Sequence, residues 1–174
     1  MPTVLTHLAP PIAEALALGS ARVPPQMLLV GMLAAVLPDA DGLAHLLGAG
    51  PLYGSWLGHR GFTHTLLFAL LMGVAGLWLC KLWKGKPWQG FVWLFACTLS
   101  HPLLDMLTSG GAGIALWAPF SAEREFAPWR PVRVSPISPS HLISSRGAAV
   151  LRSEFQYIWM PLLLMGLSGF ALRH

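Results

Sequence analysis

The sequence predicts an all-α integral membrane bundle of about four to five apolar helices, with a polar Pro/Gly-rich loop on one face. Three observations carry this expectation. The chain is 55% hydrophobic and 10% charged, with a mean hydropathy of +0.60, too apolar for an ordinary soluble domain. Eight Trp and eight Phe accompany long Leu/Ala/Val runs, a composition suited to lipid contact. Each of the three aspartates, Asp39, Asp41 and Asp105, closes an apolar run near a histidine. The length of 174 residues fits a single domain over 1–174.

Residues 4–18 are apolar apart from Glu14, with Thr3 as a plausible N-cap and Pro10-Pro11 set to kink or restart the helix. After the break at Arg22-Val23-Pro24-Pro25, residues 26–37 are uninterruptedly apolar and stop at Pro38. Both pieces fall short of the roughly 20 residues of a full span, so a short helical hairpin is expected, half-inserted or packed on longer helices. Glycines through residues 42–62 predict a loop, with a short helix near His45. Thr63 is placed to cap a spanning helix from His64 to Trp83. Lys81, Lys84 and Lys86 with Trp83 and Trp88 mark a membrane–water interface. Residues 88–107 predict a second span that returns to His101 and Asp105, bent at Pro102. Residues 108–141, with Gly110, Gly111, Gly113, a series of prolines from Pro119 to Pro139, and Arg124, Arg130 and Arg133, predict an ordered polar lid. An amphipathic helix over 147–155 carries Arg152 and Glu154, and 156–172 form a last apolar helix.

Laid alternately across a bilayer, these helices bring every motif residue to one face, His7 included. Sidedness does not follow. Arg60, Arg124, Arg130, Arg133, Arg146 and Arg152 on the motif face balance Arg22, Lys81, Lys84, Lys86 and Arg173 on the other.

The formal charge of +4 is spread without a long basic run, which excludes a nucleic-acid groove and suits anionic headgroups or an anionic substrate. Cys80 and Cys97 lie in apolar segments and read as buried hydrophobes. Met1-Pro-Thr-Val has no basic n-region of a signal peptide, so insertion rests on the internal segments. No G-x-S-x-G elbow, Walker loop, dinucleotide fingerprint or H-E-x-x-H occurs.

What remains is metal chemistry. His101 and Asp105 stand i, i+4 on one helix face, as two ligands of one cation or as a hydrogen-bonded pair. Asp39 and Asp41 follow an apolar helix directly, where paired negative charge opposes the helix dipole. A cation between them relieves that repulsion, the alternative being two solvated acids. His59 in a loop and His64 in the first turn of a helix can converge, and the helix N-terminus keeps His64 neutral, as a metal requires. Arg60 either receives an anionic group or orients Asp39 or Asp41. His45 and the lone His7 are ambiguous, and His141 and His174 are not favoured. Glu154 reads either as a surface partner of Arg152 or as a ligand or base on the motif face.

In order, Thr6-His7, Leu37-Pro38-Asp39-Ala40-Asp41, His59-Arg60-Gly61-Phe62-Thr63-His64-Thr65, His101-x-x-x-Asp105-x-x-Thr108 and Pro119-Phe120-Ser121 resemble the YdjM-type family of inner-membrane metal-dependent hydrolases, also described as LexA-regulated. The likeness covers most of the chain, and its HRGxTH hexamer is specific. Thr65 departs from the serine expected there but keeps a hydroxyl. The resemblance implies an all-helical protein of the bacterial inner membrane that binds divalent metal. Its matching ligands would be His7, Asp39, Asp41, His59, His64, His101 and Asp105. Seven ligands suit one or two ions, zinc first, with manganese or magnesium as alternatives. The expected activity is hydrolysis of a phosphoester or related bond in a lipid-linked, anionic substrate at the membrane face, with Arg60, Glu154 and Asp41 as catalytic candidates. The competing reading is a non-enzymatic metal-binding scaffold or ion conduit. A conduit needs polar groups through the whole thickness, and residues 65–80 and 88–97 have almost none.

Overall fold

The computed structural model describes residues 1–42, 58–135 and 143–174. Among them the regular elements are helical, and the only β-type pairings are isolated bridges, Thr108 with Val132 and Ile114 with Glu125. The α-helices are α1 (Val4–His7), α2 (Ala9–Leu18), α3 (Pro25–Val36), α4 (Leu66–Leu79), α5 (Pro87–Met106), α6 (Ser145–Glu154) and α7 (Met160–Ala171). The expected short helix near His45 lies outside the described residues.

Pro10 and Pro11 restart the helix as expected. They fall in the first turn of α2, where backbone N–H groups have no intrahelical partner and proline costs little. Past α3, Leu37–Ala40 tightens into a 3-10 turn around Pro38, which delivers Asp39 and Asp41 at the helix end. Two expected caps are corrected. Thr3 precedes α1, but its hydroxyl donates to Glu154 Oε2 at 2.6 Å instead of capping. Thr63 caps nothing: Phe62–His64 is a separate 3-10 turn, and Thr65 Oγ1 accepts from Phe68 N at 3.0 Å to start α4 at Leu66. The last two expected helices are continuous, joined by a π-helical segment at Phe155–Trp159.

Leu66–Trp83 joins length to apolarity, with a mean hydropathy of 2.0 over 18 residues, and is the only described helix that does. Only 22% of it is buried within the protein. Leu70, Leu71, Val74 and Trp78 face outward, an arrangement that lipid tolerates and water penalises at about 25 cal/mol per Å². The expected second span exists as a helix of 20 residues, Pro87–Met106. Its Gln89, Ser100, His101 and Asp105 dilute its hydropathy.

The helix directions match the alternate layout. Helices α4 and α5 run antiparallel at very close approach. A Cβ on Gly76 would strike the Gly90 carbonyl, and one on Gly90 would strike that of Gly76, the small-residue contact used where lipid offers no hydrophobic drive. Helix α3 runs parallel to α5. Trp93 crosses the Gly31 face of α3 and donates Nε1–H to Met27 O at 2.8 Å. Eight residues further along both helices, His101 meets Ala35. Met27, Ala34, Ala35, Trp93, Leu94 and Cys97 form, with Val23, one contiguous buried apolar cluster between these helices. Helix α7 lies parallel to α2, with Gly166 and Gly169 against Ala13, Leu16 and Ala17. Both cysteines are free and buried, as expected.

The loop from Leu107 to Ser135 is ordered, as its prolines suggested. Ile114, Ala115, Leu116 and Val132 are buried beneath it. Backbone hydrogen bonds from Ser109 N to Val132 O, Ala127 N to Met106 O and Leu66 N to Leu116 O fasten it to the ends of α4 and α5.

Replacing Gly90 by Leu should separate α4 from α5 at a cost of about 1–3 kcal/mol. A thermal melt of the purified protein in detergent should show a lower Tm than that of the unchanged protein.

Candidate metal centre

Four chain segments end at one place. His7 closes α1, Asp39 and Asp41 follow α3, His59 and His64 precede α4, and His101 and Asp105 lie in the last turns of α5. The structure thus brings together all seven residues expected as metal ligands. His7, His64, His101 and Asp105 have no solvent exposure, and His59 is 3% exposed.

Two groups of three offer ligand atoms within 4.8 Å of one another: His7, His101 and Asp105, and Asp39, His59 and His64. They adjoin, since His101 Nε2 lies 3.2 Å from His64 Nε2. His7 stacks on His101 with ring centroids 3.7 Å apart. Its Nε2 stands 3.7 Å from Asp105 Oδ1 and 4.0 Å from Asp39 Oδ2. His101 Nε2 is 3.4 Å from Asp39 Oδ1, and His64 Nε2 is 3.7 Å from Asp105 Oδ2.

Hydrogen bonds at the outer nitrogens fix the tautomers. His101 Nδ1 lies 2.7 Å from Ala35 O; a carbonyl only accepts, so Nδ1 carries the proton and Nε2 presents a lone pair. His59 Nδ1 is 2.7 Å from Asp41 Oδ1, and His64 Nδ1 is 3.2 Å from Asp41 Oδ2. Thr63 Oγ1 donates to Asp41 Oδ2 at 2.6 Å. Asp41 therefore holds two imidazoles by their outer N–H groups and turns both Nε2 lone pairs inward. Metal-binding histidines are commonly held this way. Burial pushes the Asp41 carboxyl up, but hydrogen bonds from His59, His64 and Thr63 outweigh it and hold the group below the usual carboxylate range. Burial lowers the His64 pKa against the pull of Asp41, so its ring is neutral near neutral pH.

The cluster fits a cation in three respects. With the proton of each ring on Nδ1, the Nε2 lone pairs of His64 and His101 face each other across a gap that a shared cation fills. Two nitrogens bound about 2.0–2.1 Å from one tetrahedral ion would lie roughly 3.3 Å apart, close to the 3.2 Å seen. Both ring nitrogens of His7 and all four oxygens of Asp39 and Asp105 are buried without a hydrogen-bond partner, a costly state that direct ligation relieves. The Arg60 guanidinium lies against Asp105, while Asp39 and Asp41 meet no arginine or lysine among the described residues, an acidity that a cation offsets.

Arg60 does not orient Asp39 or Asp41, as one of its two expected roles required: it is fully buried, and its acidic partner is Asp105. Its Nε lies 3.2 Å from Asp105 Oδ2, while its terminal nitrogens donate to Thr108 Oγ1 at 3.3 Å and Gly110 O at 3.4 Å. Its φ of 63° is left-handed, a strained state for a long side chain, and Arg124 Nη1 donates to its carbonyl at 3.2 Å. Glu154 is also corrected. It joins neither ligand group and pairs with no arginine. Its Oε1 accepts from Thr3 N at 2.6 Å, and its Oε2 accepts from Thr3 Oγ1 at 2.6 Å and Thr6 Oγ1 at 2.7 Å. Three donors use up a carboxylate that was expected to act as ligand or base. Trp159 Nε1–H donates to Thr6 Oγ1 at 2.7 Å, completing a buried clamp on the helix that carries His7. His45 and His141 lie outside the described residues. His174 sits by Phe170 at the far end of α7.

Sequence reasoning gave Thr63 only a capping role and Thr108 none. Each lies inside a motif, between His59 and His64 or three residues past Asp105, and that placement was the available signal. The Ala35 carbonyl had none.

Residues 1–173 of the chain match the YdjM inner membrane protein family. The chain belongs to that family. As a YdjM family member it is an integral protein of the inner membrane. It is 41% identical over 170 residues to the inner membrane protein YbcI of Escherichia coli (strain K12), with 96% of each chain covered. No solved structure matches it. The six side chains of the two ligand groups in this YdjM protein, five of them buried, come from the segments on which the resemblance rested.

The double variant His101→Ala/Asp39→Ala should lose its divalent metal in elemental analysis of the purified protein. Asp41→Asn, which leaves every inward atom in place, should keep the fold and weaken metal affinity by about 10–100-fold. Glu154→Gln should keep its metal and lower the Tm, costing about 1–3 kcal/mol for the unsatisfied clamp.

Proposed function

We propose that this protein is a membrane-bound metal-dependent hydrolase acting on a phosphoester or related bond of a lipid-linked substrate at the membrane face. The observation that carries this reading is the convergence of buried, unpartnered imidazole and carboxylate atoms at one end of the helices. We read His7, His101 and Asp105, with Asp39, His59 and His64, as holding one or two divalent ions. The mixed nitrogen and oxygen donors favour zinc, with manganese or magnesium as alternatives. Bound there, the metal supplies Lewis acidity and acidifies water for attack.

The protein's own residues prepare that chemistry. Asp41 sets the tautomer and aim of His59 and His64 and so acts as a positioning residue, not as the direct ligand first expected. Arg60 pairs with Asp105 through Nε and is tied to Thr108 and Gly110 through its terminal nitrogens, so we read it as a second positioning residue rather than as a grip on an anionic substrate. We further propose that α5 and the helix from Ser145 to Ala171 cross the bilayer beside Leu66–Trp83. That arrangement puts the cluster at headgroup level, where a lipid phosphoester is presented.

The scaffold or conduit reading finds less support. The polar ligands gather at one end, while the interface of α4 and α5 is lined by glycines and phenylalanines.

A panel of phospholipids and lipid pyrophosphates, incubated with protein loaded with Zn²⁺ or Mn²⁺, should show phosphate release that a chelator abolishes. Silence across the panel with fully loaded protein would favour the scaffold. Arg60→Ala should lose metal and turnover together; full metal with lost turnover would restore Arg60 to substrate binding.

A further inference from the structure

Away from the metal centre, two cavities adjoin where the polar loop meets α6 and the π segment. One is an apolar groove of about 760 Å³, lined by Leu103, Leu107, Phe126, Pro128, Tyr157 and Leu162 among others. Its size is that of an ordinary ligand site. The other, about 390 Å³, is polar and is lined by Arg133, Arg152, Ser153 and Gln156. Tyr157 lines both. No carboxylate lines the polar pocket, and Glu125 is the only one in the groove.

The junction is built from ordered parts. Arg133 N donates to Ser153 Oγ at 2.9 Å, tying the loop to α6. Trp129 packs edge-on against Tyr157 with centroids 5.5 Å apart. Arg130 lies over the Phe126 ring, 4.8 Å from its centroid. The wider turn of the π segment carries Gln156 and Tyr157 to this place, and π segments recur at functional sites. Arginines next to tryptophan and tyrosine, above an apolar groove, are the composition of a membrane–water boundary.

We infer that this paired cavity is a binding site for one anionic phospholipid, with the phosphate on Arg133 and Arg152 and an acyl chain in the groove below Tyr157. Charge complementarity selects the headgroup: two exposed guanidinium groups with no acid beside them suit a phosphodiester. The apolar groove selects an amphiphile over a free anion, and the inner membrane surrounds the protein with such lipids. The site is independent of the metal chemistry, since none of the candidate ligands lines either cavity.

Native mass spectrometry of the full chain in detergent, with added dioleoylphosphatidylglycerol, tests the assignment. One lipid should be retained, and dioleoylphosphatidylcholine should not. Arg133→Gln/Arg152→Gln should weaken retention about tenfold, while Arg22→Gln/Arg146→Gln, with the same loss of charge elsewhere, should not. Metal content should be unchanged in both, which separates this result from any failure of the hydrolase reading. Equal retention of the two lipids, equal weakening by the two double variants, or displacement of the lipid by millimolar inorganic phosphate would overturn the inference.

Discussion

The structure depends on a concentration of buried negative charge and bare lone pairs that the protein alone does not neutralise. The Arg60 guanidinium reaches Asp105 alone, and the imidazoles around Asp39, Asp41 and Asp105 are turned so that their basic nitrogens face inward. Burying ionised carboxylates costs several kcal/mol each unless charge and hydrogen bonds compensate. The compensation is unevenly distributed. Asp41 is saturated by three donors, while Asp39 and Asp105 have none of hydrogen-bond quality. That asymmetry separates the residue that orients from those that wait for a cation.

The surrounding fold serves this constraint. The glycine contact between α4 and α5 lets the two backbones approach closely enough for His64 at one helix start to reach His101 at the other helix end. The parallel course of α3 and α5 sets the Ala35 carbonyl against the His101 ring. Arg60, held in a left-handed conformation by Arg124 and the loop carbonyls, couples the lid to Asp105. A rigid apolar frame thus positions polar groups that would not choose one another's company.

Much of this was legible in the sequence. The i, i+4 spacing of His101 and Asp105, the Pro38 stop before Asp39 and the alternation of helix directions were enough to gather the ligands at one end. The restart at Pro10-Pro11 followed from the missing proline N–H. The division of labour was not legible. Asp39 and Asp41 look equivalent two residues apart, and only the tertiary arrival of His59 and Thr63 distinguishes them. Glu154 lay on the correct face, but its partners Thr3 and Thr6 are about 150 positions away. Thr63 and Thr65 are equally good caps by type, and a 3-10 turn decided between them. The continuity of the last helix through Phe155–Trp159 escaped notice because a π turn breaks the 3.6-residue period on which helix reading depends.

The clamp between the first and last helices bears on assembly. Thr3 and Thr6, beside His7, lie about 150 positions before Glu154 and Trp159, which fasten them, so the clamp closes only once the helix from Ser145 to Ala171 has been made. Until that continuous helix docks, the segment bearing His7 rests on its contacts with His101 and the loop. On the metal reading proposed above, a chain stalled before residue 154 would be inserted yet poorly able to hold an ion.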